Sequence, residues 1–379
     1  MSYKKESLDL HKKNRGKIEV RPKISLNKKK DFCLAYTPGV AEVCMAIQKD
    51  GGQSWNLTNR ANTVAIVSDG SAVLGLGNTG PEAGMPVMEG KAVLFKKLAG
   101  IDAYPLCIKT TGAEDIIKFC HYIAPSVGGI NLEDISAPAC FEVLNRLEKE
   151  LDIPVFHDDQ DGTAIATLAA LINASRVLNK KIRSLKVVIN GSGAAGIAIA
   201  RLLLVYGVRD LKILDSQGLL NKKRKNLNKF KQSLVERTNK EGIEGRLEEA
   251  LPGSDVFIGV SQANVLTEKM IESMNEDPII FAMSNPSPEI CPKKARKTKA
   301  CIVGTGNSDC PNQINNALVF PGIFRGMLDA KVNNASSQVK IDAAKALAYV
   351  IKKPNKNKIL PRLTNKSVVE AISSKVKRC

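Results

Sequence analysis

The sequence predicts an α/β protein of two domains, an N-terminal α/β domain over residues 1–160 and a C-terminal domain with a Rossmann-type parallel sheet over residues 161–379. Apolar strand patterns alternate with helical patterns along most of the chain, which is typical of parallel sheets covered by helices. A glycine-rich turn joins a strand to a helix near residue 191. The length of 379 residues also suits two or three domains at roughly 150 residues each.

The first domain begins with a lysine-rich polar segment that extends to about Lys30. Four apolar segments then predict strands, each followed by a polar turn, and the segments between them have helical periodicity. The predicted strands are 64–68, 103–108, 129–132 and 154–156, and the predicted helices are 90–98, 114–122 and 138–151.

Two residues of this domain lie in unusual local sequences. Tyr36 precedes a Thr-Pro-Gly turn, and Lys91 lies in PVMEGKAVLFKKL, where we expect a helix to start. The positive end of a helix dipole lowers the pKa of a nearby lysine toward the range of a general base. Both residues are therefore candidate catalytic groups, with a surface lysine and a structural tyrosine as the alternatives.

Carboxylates cluster in residues 131–161, where nine acidic residues accompany two basic ones. Glu133 and Asp134 follow one predicted strand, and Asp158 and Asp159 follow the next. Parallel sheets bind ligands at the carboxyl ends of their strands, so we expect the two pairs to meet at one edge. Such a group of oxygen ligands suits Mg²⁺ or Mn²⁺, although capping of strand and helix ends is the alternative for each pair alone.

The second domain follows an apolar helix predicted over residues 162–178 and contains a G-x-G-x-x-G turn after the strand 185–190. Glycines at these positions let the backbone approach a pyrophosphate, and the following helix N-terminus attracts its charge. A tight turn without a nucleotide is the alternative. The expected nucleotide contacts are Gly191, Ser192, Gly193, Ala194, Ala195 and Gly196.

Asp215 ends the next predicted strand, 211–215, nineteen residues after Gly196. An acid at this position binds the ribose hydroxyls of NAD and repels the 2′-phosphate of NADP. Residues 222–225, with the sequence KKRK, follow closely and could fold back onto such a phosphate, so NADP is the second candidate cofactor. Further strands are predicted at 255–260, 278–282 and 300–303.

Composition excludes several classes of protein. Hydrophobic residues at 44% and charged residues at 25% are typical of globular chains, and no apolar run reaches the ~18 residues of a membrane helix. Three histidines are too few for a multi-histidine zinc site. Nine cysteines without a C-x-x-C pair indicate free thiols in a reducing compartment, so we expect a cytoplasmic protein.

The net charge of +18 would suit nucleic acid or an anionic membrane. However, aromatic residues make up only 4% of the chain, a small supply for stacking on bases. The basic excess lies in the segments 1–30, 221–231, 293–299 and 350–379, outside the motifs described above. We therefore expect a lysine-rich periphery around an acidic centre, with no nucleic-acid partner and no membrane association.

Long segments of the chain resemble the short, bacterial-type malic enzymes. They are LAYTPGVAEVC, VSDGSAVLGLGNTGPEAGMPVMEGKAVLFKKLAGIDAYPLCI, GGINLEDISAPACFEV, IPVFHDDQDGTAIATLAAL and FAMSNPSPEI. The resemblance implies oxidative decarboxylation of (S)-malate to pyruvate and CO2 with NAD or NADP and Mg²⁺ or Mn²⁺, and decarboxylation of oxaloacetate as a second activity. It also implies a homodimer or a higher homo-oligomer.

The resemblance assigns the metal site to the carboxylate cluster of the first domain. Glu133, Asp134 and Asp159 match the metal ligands of the family. Asp158 matches the second acid of the Asp-Asp pair, which is placed to tune the catalytic base.

The remaining roles fall on four residues. Lys91 matches the base that takes the proton of the malate hydroxyl, and Tyr36 matches the acid that protonates C3 of the enolpyruvate left after CO2 departs. Asn285 and Asn316 match amides that hold the substrate and the nicotinamide. These assignments come from the matching motifs and not from spacing.

Two positions depart from the wider family. Ala72 stands where the larger, animal-type enzymes have an arginine for the substrate carboxylate, so Ser71, Asn285 or Asn316 must supply that contact. Asp161 stands where many short relatives have a neutral residue or histidine, which adds a negative charge near the metal site. Two rival functions are a basic NAD-binding protein that contacts nucleic acid and a decarboxylating dehydrogenase for another 2-hydroxy diacid.

Overall fold

The computed structural model describes residues 3–73, 75–110, 112–308 and 310–377, and these contain ten strands in two sheets and sixteen α-helices. The strands are β1 Thr63–Ser68, β2 Asp102–Cys107, β3 Gly129–Leu132, β4 Val155–His157, β5 Lys186–Asn190, β6 Asp210–Asp215, β7 Gly218–Leu219, β8 Val256–Gly259, β9 Ile279–Ala282 and β10 Ile302–Thr305. The helices are α1 Tyr3–Asn14, α2 Lys29–Ala35, α3 Val40–Lys49, α4 Ser54–Leu57, α5 Pro81–Ala99, α6 Ala113–Ile123, α7 Ala139–Glu150, α8 Thr163–Leu178, α9 Ala194–Tyr206, α10 Lys229–Val235, α11 Leu247–Ala250, α12 Glu268–Glu272, α13 Pro292–Ala295, α14 Phe320–Ala330, α15 Ser337–Tyr349 and α16 Ser367–Val376.

The first sheet has the strand order β2-β1-β3-β4, and all of its strands are parallel. Strands β1, β3 and β4 are buried along their whole length, as expected for parallel strands covered on both faces. The four predicted strands agree with the observed bounds to within one residue. The parallel α/β architecture predicted for this half is therefore confirmed.

The second sheet has the order β10-β9-β8-β5-β6-β7, and only β7 is antiparallel to its neighbour. The chain leaves the central strand β5 toward β6 and later returns to the other side of β5 with β8. This reversal opens a crevice at the carboxyl ends of β5 and β8, where open α/β sheets bind ligands. The Rossmann-type sheet is thus also confirmed, with β10 placed two residues later than predicted.

One hydrophobic core extends through both sheets. Helix α8 is buried over most of its length, and its many alanines allow close packing from both sides. The C-terminal helices return to the first sheet, because the ring of Phe320 lies 4.7 Å from that of Phe95, and Phe324 lies 5.9 Å from Phe156. The division of the chain at residue 160 stays a prediction from the sequence.

Two predicted absences concern the described residues only. No helix among them is both long enough and apolar enough to cross a membrane. The eight cysteines in the described ranges are all free thiols, and Cys379 lies outside those ranges.

Candidate active site

A cleft of about 700 Å³ lies at the carboxyl ends of both sheets. Its walls come from the loops that follow strands of both sheets and from one face of helix α5. The lining residues that carry functional groups are Lys91, Glu133, Asp134, Asp159, Ser261, Ser284, Asn285, Asn315 and Asn316. The fold therefore brings the predicted carboxylates, the predicted lysine and both predicted asparagines into one cavity.

Glu133, Asp134 and Asp159 form a cluster whose ligand oxygens lie within 4.8 Å of one another. The backbone N–H of Asp134 donates to Asp159 Oδ2 at 2.8 Å, which ties the loop after β3 to the turn after β4. Asp134 holds a positive φ of 52°, a conformation that non-glycine residues adopt rarely and often at functional sites. Three hard oxygen ligands in this arrangement fit a divalent cation such as Mg²⁺ or Mn²⁺.

Lys91 is buried beside this cluster. Its ammonium nitrogen lies 2.5 Å from Glu133 Oε1 and 2.5 Å from Asp158 Oδ2. It also lies 4.5 Å from the centre of the Phe320 ring, which belongs to a segment that follows the nucleotide sheet. A buried lysine with these partners is held in one position facing the cleft.

The helix that carries Lys91 differs from the prediction. Helix α5 starts at Pro81, which suits the first turn of a helix, so Lys91 lies in the middle of the helix and not at its N-terminus. The expected lowering of its pKa by the helix dipole is therefore wrong. Burial would lower the pKa, but the charges of Asp158, Glu133 and Asp159 outweigh it and raise the pKa of Lys91 above its ordinary value.

Asp158 is fully buried in a π-helical turn, Asp158–Gly162, that leads directly into α8. Burial raises the pKa of its carboxyl to about 7, against the lowering effect of Lys91. Gly162 is required here, because a Cβ atom at this position would collide with Asp158 Oδ1. A carboxyl with a pKa near neutrality, in contact with a lysine, is suited to hold a proton during catalysis.

Asp161 lies in the same turn and is paired with a residue that the sequence did not single out. Lys340 of α15 places its ammonium 2.8 Å from Asp161 Oδ2, and both side chains are largely buried. The extra negative charge at Asp161 is thus neutralised from the C-terminal helices. Lys340 shares a helix face with the buried residues Ala344 and Leu347, and a lysine on an apolar stripe is the signal that could have identified it.

A second cavity of about 730 Å³ shares Val260 and Ser261 with the cleft, so the two are continuous. The turn Gly191–Ser192–Gly193 lines it, and Ala194 and Ala195 line the adjoining cleft. Asp215 lies at its other end.

The glycines of this turn meet the requirements of a nucleotide cradle. Gly191 has a φ of 121°, and a Cβ there would lie 2.6 Å from the carbonyl oxygen of Val260. Gly196 packs its α-carbon against the carbonyl of Gly191, which lets α9 start close to β5. Gly193 faces open space, so its backbone is accessible to a ligand. The turn therefore fits a dinucleotide that extends from Asp215 toward Lys91.

Asn285 and Asn316 line the cleft, whereas Ser71 does not. The Ser71 hydroxyl donates to Asp69 Oδ1 at 2.6 Å and accepts from the backbone N–H of Ser136 at 2.8 Å, so it serves the loop structure. Of the three candidates for the substrate carboxylate, only the two asparagines face the cavity.

Glu289 is a positioning residue that the sequence did not identify. It is fully buried and accepts hydrogen bonds from the backbone N–H groups of Ser261 at 3.0 Å and Ser284 at 3.1 Å. These bonds join the loops after β8 and β9, both of which line the cleft. Its place directly after SNPSP, at the end of a buried strand, was the available signal.

Tyr36 is not brought into the cleft. It follows α2 with 72% of its surface exposed, and it is not among the lining residues of either cavity. Its hydroxyl therefore has no contact with Lys91 within one copy of the described chain.

Comparisons with known proteins agree with this geometry. The family model "Malic enzyme, N-terminal domain" matches residues 15–117, and "Malic enzyme, NAD binding domain" matches residues 160–379. The bifunctional malic/malolactic enzyme of Bacillus subtilis (strain 168) is 49% identical over 379 residues, which cover 99% of this chain and 92% of that protein.

Two further relatives cover similar lengths. The NAD-dependent malic enzyme of Geobacillus stearothermophilus is 49% identical over 363 residues, covering 95% of this chain and 76% of that protein. The crystal structure of malic enzyme from Pyrococcus horikoshii Ot3 has a TM-score of 0.96 at 46% identity and covers 100% of this chain and 90% of that one.

Proposed function

This chain belongs to the malic enzyme family, and we propose that it converts (S)-malate to pyruvate and CO2 while reducing NAD or NADP, with Mg²⁺ or Mn²⁺ as its metal. The observation that carries this proposal is the convergence of Lys91, the three-carboxylate cluster and the start of α9 in one cleft. The same residues would also accept oxaloacetate for decarboxylation.

The chain's own residues define how the substrate is held. Glu133, Asp134 and Asp159 would hold the divalent cation, whose Lewis acidity stabilises negative charge on a bound 2-hydroxy acid. Asn285 and Asn316 offer amide donors to the substrate carboxylate and the nicotinamide amide. The turn at Gly191–Ala195 would place the nicotinamide in the cleft, and hydride acceptance is the chemistry of that cofactor.

Lys91 and Asp158 would move the hydroxyl proton. An ammonium group has no acceptor site, so Lys91 must first pass a proton to Asp158, which lies 2.5 Å away. Burial raises the pKa of Asp158 to about 7, so it can hold that proton near neutral pH. The neutral amine then faces the cleft and accepts the proton of the malate hydroxyl.

Tyr36 and the oligomeric state belong together in this proposal. The segment before and around Tyr36 leaves many apolar side chains exposed within one copy: Ile18, Val20, Ile24, Leu26, Phe32 and Leu34. We infer a homodimer, or a higher homo-oligomer built from it, in which a second copy covers this surface. Tyr36 would then reach the cleft of the partner copy and protonate C3.

The assay for the proposed function follows NADH or NADPH absorbance with malate and Mn²⁺, together with pyruvate formation. Reduction of the cofactor with equal pyruvate release is expected, and loss of both on adding EDTA. A stronger response with another 2-hydroxy diacid, or a salt-sensitive binding of DNA without malate turnover, would contradict the proposal. The nine cysteines without a C-x-x-C pair support a cytoplasmic location.

A further inference from the structure

The carboxylate of Asp215 is fully engaged by its own chain. Arg224 donates through Nη1 to Oδ1 at 2.8 Å and through Nη2 to Oδ2 at 3.0 Å. Lys231 donates to Oδ2 at 2.7 Å, and the backbone N–H of Gln217 donates to Oδ1 at 2.9 Å. A carboxylate offers about four lone-pair sites. Asp215 therefore has no site left for the two hydroxyls of an adenosine ribose unless one of these bonds breaks.

The bonds to Asp215 are well protected. The side chains of Asp215, Arg224 and Lys231 are mostly buried, at 10%, 15% and 21% exposure, so water screens their pairing weakly. Arg224 is further fixed by hydrogen bonds to Gln217 Oε1 at 2.9 Å and to the Gly218 carbonyl. Partial burial alone would raise the pKa of Asp215, but the bonds from Arg224 and Lys231 hold it below its ordinary value.

Positive charge prevails at this end of the cavity. Asp215, Lys231, Arg246 and Glu248 line the cavity wall, and Arg224 lies behind Asp215. With three cations and two anions, this end carries a net charge of +1. The repulsion of a 2′-phosphate, expected from Asp215 alone, is therefore cancelled.

We propose that this end of the cavity accepts the 2′-phosphate of NADP on Lys231 and Arg246, with Arg224 as the positioning residue that occupies Asp215. The inference rests on the proposed nucleotide site and deepens it, because it makes NADP at least as good a cofactor as NAD. It also gives a function to the basic run at 221–231, which the malate site leaves unused.

Calorimetric titration of the full chain with 2′,5′-ADP and with 5′-AMP, at one ionic strength, tests the proposal without any turnover. The wild-type chain should bind 2′,5′-ADP more tightly than 5′-AMP. Lys231→Gln should reduce that preference about tenfold, the loss expected for one charged hydrogen-bonding partner. Arg224→Gln should also reduce it, because it frees the Asp215 carboxylate to repel the phosphate and to bind the ribose of 5′-AMP.

Lys223→Gln is the matched control. Lys223 belongs to the same basic run, but it is exposed, pairs with Glu244 and does not line the cavity. It should leave the preference unchanged. Tighter binding of 5′-AMP by the wild-type chain, or an equal loss in the Lys223 and Lys231 variants, would overturn the proposal.

The wild-type measurement is independent of whether any variant folds. It is also independent of the malate reaction, because a chain that binds 2′,5′-ADP but does not oxidise malate would contradict only the proposed function. Conversely, malate oxidation with weak 2′,5′-ADP binding would contradict only the inference. A parallel comparison of kcat/KM for NADP and NAD should show the same order as the two fragments.

Discussion

The Lys91 ammonium lies 2.5 Å from the Asp158 carboxylate, across 67 residues of sequence and inside the buried wall of the cleft. Lys91 comes from the middle of a helix of the first sheet, and Asp158 comes from the turn that leads into α8. The pair thus links the substrate side of the cleft to a helix that also packs against α9. Proton transfer and domain packing depend on the same turn.

Lys91→Ala should lower malate oxidation by about 10²–10⁴-fold, the usual contribution of a positioned acid or base. The substitution removes the only cation that contacts both Glu133 and Asp158 among the described residues. Steady-state rates with malate measure the loss, and nucleotide binding should persist. Lys97→Ala, an exposed lysine on the same helix, serves as the control. A near-normal rate in the Lys91 variant would exclude its role as the base.

Asp159→Asn should weaken the binding of Mn²⁺, because it removes one of three carboxylates from the cluster. A ligand that binds only the folded state raises the unfolding temperature in proportion to its occupancy. We expect Mn²⁺ to raise the unfolding temperature of the wild-type chain, EDTA to reverse this, and the variant to respond only at higher Mn²⁺. Asp152→Asn, at an exposed position of the same acidic segment, should behave as the wild type. An equal Mn²⁺ response in both variants would remove Asp159 from the ligand set.

Lys340→Met should lower the free energy of unfolding by about 3–5 kcal/mol, the usual effect of leaving a buried charge without its partner. Lys340 lies 2.8 Å from Asp161, and both are largely buried. The double variant Lys340→Met, Asp161→Asn should recover much of the loss, since no uncompensated charge remains. Urea unfolding of all four chains gives the coupling energy. Additive losses would show that the two residues do not act as a pair.

Tyr36→Phe should impair malate decarboxylation more than oxaloacetate reduction, because only the first reaction needs a proton at C3. If Tyr36 acts on the partner's cleft, mixing inactive Tyr36→Phe chains with inactive Lys91→Ala chains should restore activity through mixed dimers. Each mixed dimer would contain one cleft with both wild-type residues. A mixture that exchanges subunits and stays inactive would place Tyr36 and Lys91 in the same copy.

Local sequence patterns determined the architecture and most of the cleft. The strand bounds followed from short apolar runs, and Glu133, Asp134, Asp158 and Asp159 were placed by their position directly after two such runs. Parallel strands bring their carboxyl ends to one edge, so position along the chain was enough to predict the carboxylate cluster. The glycine turn was equally accessible, because its conformation depends on residues within one βα unit.

Only the tertiary structure decided which charges meet. The partners of Asp161 and Asp215 are Lys340, Arg224 and Lys231, and no periodicity indicates such pairs. The same holds for Lys91, whose pKa direction reversed once its buried neighbours were known. The physical reason is that local propensity and periodicity act over a few residues, whereas the electrostatic environment of a buried group is set by whichever segments pack around it. The sequence by itself therefore determined where the functional groups stand, and the packing of distant segments determined how they are charged and oriented.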